Sequence, residues 1–461
     1  MIFGKIKKIH FVGIGGIGMS GIAEVLINMG FSVTGSDISE NSNVKRLKSI
    51  GVEIFIGHSE ENLKDADALV YSSAVTEDNP EIQKAKQMYI PIIKRGEMLA
   101  ELMRMKYSIV VSGSHGKTTT TSIIAEIYKE AGIVPTIVIG GRLNSENKNS
   151  NLGKGDIMIS EADESDRSFL MLYPTIAVIT NIDAEHLDCY SGIEDIKEAF
   201  VQFANRIPFY GKNFICLDDE NCADIIPEIK KSFVTYGIKA KADITASNIF
   251  KSGFSTKFNV TAYDQSLGEF QLNFPGEHNI TNALAAIGVA LEFSISQETI
   301  KNALRNFKGV QRRLSLRYVS DKVRVYDDYG HHPTEIKTTL KALREAFPEK
   351  KMAVVFQPHR YTRTKFLLNE FSKAFFDADF LFVKDIYPAS EPPIEGVNSL
   401  KIVEEIKRHG FRDVWYLGND WEFLDFIGGK LDEGLIVVTL GAGSITNFSY
   451  EIAKYLEGGA Q

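Results

Sequence analysis

Short, almost continuous apolar runs recur along this chain. Each gives way to a polar or glycine-rich turn and then to a segment whose apolar positions carry helical spacing. Runs that are apolar on both faces read as strands of parallel sheets covered by helices. The first, Lys8–Val12, leads through Gly13-Ile14-Gly15-Gly16-Ile17-Gly18 into a helical pattern carried by Ala23, Val25, Leu26 and Met29. Further strands are predicted at 31–37, 68–72, 90–93, 109–112, 156–160, 175–180 and 213–217, followed by a more alternating, β-rich section over 243–273. Helices are predicted at 280–293 and 297–307; beyond them, strands at 323–326, 352–356, 380–383 and 435–439 alternate with helices such as 333–346. This alternation predicts an α/β fold with parallel sheets. We divide it into three domains, residues 1–105, 106–315 and 316–461.

The turns carry the chemistry. Gly13, Gly15 and Gly18 satisfy G-x-G-x-x-G, and Asp37 lies 19 residues past Gly18 at the tip of the second strand. In a Rossmann-like domain such an acidic residue bonds a ribose hydroxyl. Alone this reads as dinucleotide binding, although the same turn holds other nucleotides and pyrophosphates. The densest signal follows the strand at 109–112: Gly113-Ser114-His115-Gly116-Lys117-Thr118-Thr119. A strand feeding this turn aims backbone N–H groups and a helix N-terminus at one spot, which suits a polyphosphate. Lys117 can reach β/γ-phosphates and the Thr118 hydroxyl can hold Mg²⁺. The strict P-loop pattern wants glycine at 111, where this chain has Val111, so the loop is a variant.

Other strand ends add candidates. Glu161-Ala162-Asp163-Glu164-Ser165-Asp166 crowds four carboxylates, which a Mg²⁺ ion with nucleotide phosphates would offset. Thr180 to Asp188 includes Asn181, able to bind and orient, and His186, able to hold a metal or a phosphate oxygen. Asn279 either pairs with an adenine edge or caps the helix that starts there. Arg312 and Arg313 offer guanidinium forks for phosphate. In the last domain, Asp327 to Pro333, Gln357 to Thr364 and Gly441 to Ser444 each follow a strand. They suit an amino-acid pocket, with Arg360 or Arg363 on a carboxylate and a histidine or Asp328 near an amine.

Composition narrows the class. The 461 residues, 44% hydrophobic and 24% charged, fit a multidomain globular protein. A net charge of -8 argues against a nucleic-acid partner. Cys189, Cys216 and Cys222 form neither a disulfide framework nor a metal-ligand pattern. No apolar run approaches the roughly 20 residues needed to span a bilayer. The apolar stretch after Lys5, Lys7 and Lys8 is broken by glycines, unlike a signal peptide, so a cytoplasmic protein is expected.

Taken in order, the turn at 10–20, the loop at 113–119, Glu161 to Asp166, Thr180 to Asp188, His278 to Asn282, Asp327 to Glu335 and Phe356 to Thr364 resemble the ATP-dependent Mur ligases of bacterial cell-wall synthesis. The resemblance runs end to end and is nearest the alanine-adding branch. It implies a Rossmann-like N-terminal domain, a central P-loop-type mononucleotide-binding ATPase domain and a Rossmann-like C-terminal domain. UDP-N-acetylmuramate and L-alanine are the implied substrates, with ATP and Mg²⁺ as cofactors, in a monomer or homodimer with no membrane partner. By resemblance, Gly15, Gly16, Ile17 and Gly18 lie near the pyrophosphate, Asp37 and His58 near the uridine, and Ser72 also in the UDP-sugar site. Gly113, Ser114, His115, Gly116, Lys117, Thr118, Thr119, His278, Asn279 and Arg313 would bind ATP, and Thr118, Glu161 and His186 the metal. Tyr329, His332, Arg360, Arg363 and Ser444 would meet the substrate, with Lys117, Glu161, His186, His331 and His359 catalytic. Candidate acceptors of the amine proton are His331, His332, His359 and Asp328. Sister ligases use a carbamylated lysine on the helix beyond the metal-binding histidine; this chain has Val201 and Gln202 there, so none is expected. The alternatives are the ligase that attaches a recycled tripeptide to the same sugar, an NAD-linked oxidoreductase, and a nucleotide-sensing binding protein.

Overall fold

A computed structural model describes residues 5–72, 74–138, 150–152, 156–185, 189–389, 391–430 and 434–458. The first sheet holds β1 (Lys8–Val12), β2 (Ser32–Asp37), β3 (Glu53–Ile56), β4 (Ala68–Tyr71) and β5 (Ile92–Lys94) in the order β3-β2-β1-β4-β5. All its pairings are parallel. The order reverses between β1 and β4, so the Gly-rich turn after β1 opens into the crevice where doubly wound sheets bind ligands.

The second sheet contains β6 (Tyr107–Ser112), β7 (Thr136–Val138), β8 (Ser150–Leu152), β9 (Ile157–Glu161), β10 (Ile176–Ile179), β11 (Lys212–Cys216), β12 (Phe233–Gly237), β13 (Ile244–Ser252), β14 (Ser255–Ala262) and β15 (Gln265–Leu272). Its order is β15-β14-β13-β12-β11-β10-β6-β9-β7-β8. The third holds β16 (Ser315–Val319), β17 (Val323–Asp328), β18 (Lys351–Phe356), β19 (Phe380–Val383), β20 (Val414–Tyr416) and β21 (Leu435–Leu440), in the order β16-β17-β21-β18-β19-β20. Parallel pairing dominates, as the strand–helix alternation predicts. Antiparallel pairs also occur at sheet edges, as between β7 and β8 and between β16 and β17. Hairpin-like edges need no crossover helix, so the alternation of periodicities does not reveal them.

The chain divides into two compact units. One comprises Met1–Ser247, Asn259–Phe270 and Thr281–Asn306; the other comprises Asn248–Phe258, Gln271–Ile280 and Phe307–Gln461. In the first unit one continuous apolar core runs from Phe11, Ile22 and Leu26 under the first sheet to Val110, Phe169, Phe200 and Phe203 under the second. In the second unit, Val325, Val355, Val437, Phe423 and Ile452 pack the sheet against its helices. No helix among the described residues is long and apolar enough to cross a membrane.

Phe169 is fully buried, and its ring lies 5.2 Å from both Phe200 and Phe203. Phe169→Ala is expected to destabilise the first unit by about 3–5 kcal/mol. Denaturant unfolding checks this; an unchanged midpoint would contradict the continuous core.

Candidate active site

The phosphate loop lies between two strand ends. β6 is flanked by β9, with Val111 opposite Glu161, and by β10, with Ser112 opposite Ile179. Gly113 has φ +134°, and a Cβ there would come within 2.1 Å of Thr180 Oγ1. Gly116 has φ +82°, and a Cβ there would come within 2.7 Å of Asn282 Oδ1. Both positions therefore require glycine, for backbone conformation and for space. The helix Lys117–Glu130 starts directly from Gly116, with no side-chain cap. Its leading N–H groups stay available to an anion.

The residues after β10 clamp this loop. Asn181 Oδ1 accepts from the His115 N–H at 2.8 Å, and Asn181 Nδ2 donates to the His115 carbonyl at 3.0 Å. Thr180 Oγ1 donates to the same carbonyl at 2.6 Å. The Ser114 hydroxyl accepts from the Asp183 N–H at 2.8 Å, and His115 Nε2 lies 3.1 Å from Asp183 Oδ2. Asn181 thus orients the loop, and His115 is held by it.

Lys117 Nζ donates to the Gly113 carbonyl at 2.5 Å, to Ser114 O at 3.2 Å and to Glu164 Oε1 at 2.7 Å. Burial pulls its pKa down, but Glu164, then Glu185 and Glu161, outweigh burial and hold it above the ordinary lysine value. The ammonium is therefore charged and already aimed at the loop. Thr118 is half-buried and Thr119 buried one step along.

The four carboxylates of the acidic turn have different protein partners. Glu164 holds Lys117. Asp163 lies 3.1 Å from Arg95 and accepts from Ser165. Asp166 accepts from the Ser168 N–H. Glu161, half-buried at the end of β9, also acts electrostatically on Lys117. His186 lies outside the described residues.

In the first sheet, Asp37 Oδ2 accepts from the Gly15 N–H at 2.8 Å, and Asn43 donates to Gly15 O. Asp37 thus braces the Gly-rich turn directly. Gly16 precedes the helix Ile17–Asn28, which also contains Gly18. His58 bonds Ser36 through Nδ1, and Ser72 follows β4 beside Gly13.

The second unit gathers its polar loops at the carboxyl ends of β17, β21 and β18, which are neighbours. Arg312 NH2 donates to the Gly441 carbonyl at 2.5 Å, pinning the turn that leads to Ser444. Ser444 Oγ accepts from Gln357 at 3.3 Å. Tyr329 lies under both Arg312 and Arg313, and Arg313 pairs with Glu335 at 3.2 Å. His331 Nδ1 sits 3.1 Å from the Tyr329 carbonyl, which only accepts, so Nδ1 carries the proton and Nε2 a lone pair. His359 stacks on Tyr387, with His331 5.8 Å away, and accepts from Arg363 NH1 at 3.3 Å. Arg360 is strained, at φ +70°, and its N–H is held by Tyr387 O.

Three residues do work that their sequence pattern did not suggest. Asp328 is buried, with its oxygens accepting from the Leu314 and Gly330 N–H groups at 2.8 Å each. It anchors both loops. His332 caps the helix Pro333–Ala346 through Nδ1, reciprocally with Glu335. Asn279 Nδ2 donates to Pro275 O at 2.6 Å, bracing its own turn, a third role beside the two considered.

Family models described as Mur ligase family, catalytic domain; Mur ligase middle domain; and Mur ligase, glutamate ligase domain match residues 8–107, 111–290 and 312–443. A UDP-N-acetylmuramate–L-alanine ligase of Geobacter sp. (strain M21) is 55% identical, over 96% of this chain and 96% of its own length. The crystal structure of UDP-N-acetylmuramate-alanine ligase from Thermotoga maritima superposes with a TM-score of 0.82 at 30% identity, covering 98% of this chain and 99% of that one. A murein peptide ligase from Psychrobacter arcticus reaches a TM-score of 0.69 at 23% identity, covering 98% of both chains, a likeness of fold.

Burial lowers three histidine pKa values from the ordinary 6.5: His331 to about 3, and His359 and His278 to about 4, with nearby arginines adding to the effect. Between about 4 and 6.5 the unfolded chain binds more protons than the folded one, so stability falls as pH drops through that window. Denaturant unfolding at successive pH values should show this fall. His331→Gln should shallow it, and an equal slope in that variant would contradict the buried neutral imidazole.

Proposed function

The chain belongs to the Mur ligase family, and from that premise we propose that it is the alanine-adding, ATP-dependent ligase. It joins L-alanine to the carboxylate of UDP-N-acetylmuramate, giving UDP-N-acetylmuramoyl-L-alanine, ADP and phosphate in peptidoglycan synthesis. The observation that carries this reading is end-to-end identity of 55% to a ligase of that name. Residues 1–105 would hold the UDP-sugar, 106–315 ATP and 316–461 the amino acid. The enzyme works in the cytoplasm as a monomer or homodimer.

The residues fit these roles. A carboxylate is a poor electrophile, so it first attacks the γ-phosphorus of ATP, forming an acyl phosphate as ADP leaves. Lys117, already charged, exchanges part of its contact with Glu164 for the phosphate and offsets charge on the transferring group. The oxygen donors of Thr118 and Glu161, with His186, suit Mg²⁺, which when bound neutralises phosphate charge. The neutral amine of alanine then attacks the acyl carbon, and phosphate leaves from the tetrahedral intermediate. Arg360 and Arg363 suit the alanine carboxylate. His331 Nε2 presents a lone pair to the amine proton, and His359 lies beside it. His278 and Arg313 complete the ATP-binding set, and Tyr329, His332 and Ser444 the amino-acid site.

Phosphate release by the purified chain with ATP, Mg²⁺ and UDP-N-acetylmuramate should require L-alanine. Turnover with the recycled tripeptide alone would assign the sister ligase instead. Lys117→Ala should lower turnover by about a hundred- to a thousandfold in a folded chain; robust ligation would remove the phosphate loop from the mechanism.

A further inference from the structure

A fully buried carboxylate lies at the centre of the first sheet, and the reaction makes no use of it. Glu81, in the first turn of the helix Pro80–Gln87, has no solvent exposure. Four donors converge on it: His10 Nε2 at 3.2 Å, Ser36 Oγ at 2.6 Å, Asn62 Nδ2 at 2.6 Å and the Ser59 N–H at 3.2 Å. Burial raises its pKa, but the His10, Ser36 and Asn62 donors outweigh that and keep it below the ordinary glutamate value. It is an ionised group, able only to accept.

That constraint propagates outward. The single proton of the Ser36 hydroxyl is committed to Glu81, so toward His58 Nδ1, 3.0 Å away, Ser36 can only accept. Nδ1 must then carry the hydrogen, and in a neutral imidazole Nε2 is left with its lone pair. Glu81 Oε1, 3.8 Å from the same Nδ1, favours the same tautomer. His58 is 17% exposed, and its Nε2 makes no hydrogen bond among the described residues. Asn62 also donates to the Gly57 carbonyl, fixing the turn that carries His58.

We propose that Glu81, acting through Ser36, is a positioning residue that sets His58 as a hydrogen-bond acceptor toward an N–H or O–H donor of the uridine. This rests on the reading that His58 faces the UDP end of the sugar nucleotide. The donor is either the uracil N3–H, which cytosine lacks, or the ribose 2′-hydroxyl, which a 2′-deoxy ligand lacks. A site built around one such donor discriminates against a ligand without it, because the acceptor is then left unmatched.

Nitrogen-15 NMR of histidine-labelled full-length protein, in mildly alkaline buffer, reads the tautomer without any variant. The expected result is a protonated Nδ1 and a bare Nε2 on His58, with Nε2 shifting when UDP is added. A protonated Nε2 in the free protein would overturn the proposal. Calorimetric titration with UDP, CDP and 2′-deoxy-UDP then identifies the donor. A loss of about tenfold with CDP assigns the uracil N–H, the same loss with the deoxy ligand assigns the ribose, and equal affinity for all three overturns the ligand assignment. Glu81→Gln should weaken UDP binding by about tenfold and narrow its discrimination while leaving KM for ATP within about twofold. If His58→Ala loses UDP binding but Glu81→Gln does not, the relay is wrong and the uridine reading stands. If His58→Ala leaves UDP binding intact, the uridine reading falls, and the proposal with it.

Discussion

Burying the Lys117 ammonium is the constraint on which the candidate site rests. An isolated charge held largely out of water is too costly to keep, so a lysine at the end of a central strand needs a standing anionic partner. Glu164 supplies it at 2.7 Å. The arrangement requires β9 and β10 on either side of β6, because only their carboxyl ends can bring Glu164 and the Thr180–Asn181–Asp183 clamp to one loop. The result is a loop fixed in advance, with its cation aimed and its helix N-terminus uncapped. Such preorganisation is what charge transfer in phosphoryl chemistry asks of a protein.

Both units match their buried charges, and the second adds neutral histidines. In the first, charged groups are buried in matched sets, Lys117 with Glu164 and Glu81 with its four donors. In the second, burial keeps His278, His331 and His359 neutral, while the arginines pin loops or stack on rings. A phosphoryl donor demands fixed positive charge. An attacking amine demands unprotonated neighbours.

Much of this was legible in the sequence. Long strands with buried runs, such as β1, β6, β18 and β21, stood out because both faces are apolar, and the helix Pro333–Ala346 because proline opens it. The edge strands β3, β16 and β20 did not, since their burial pattern is mixed and their pairing comes from distant partners. The same physics separates the site residues. Lys117 and Gly113 are readable because strand, turn and helix are contiguous. Glu81 is bound by side chains far along the chain, so no local spacing marks it; Asn181 and Arg312 stood out by position, but their distant backbone partners did not. His10 carried a faint signal as a polar residue inside an apolar strand. Asp328, His332 and Asn279 also anchor loops, cap a helix and brace a turn, roles that depend on backbone geometry.

The central claim is that this phosphate loop activates a carboxylate by phosphorylating it. The direct measurement uses UDP-N-acetylmuramate labelled with oxygen-18 in its lactyl carboxylate, in a complete reaction with ATP and L-alanine. The account predicts that one labelled oxygen leaves in the inorganic phosphate and the other stays in the new amide. Phosphate free of label, with ligation proceeding normally, would contradict it.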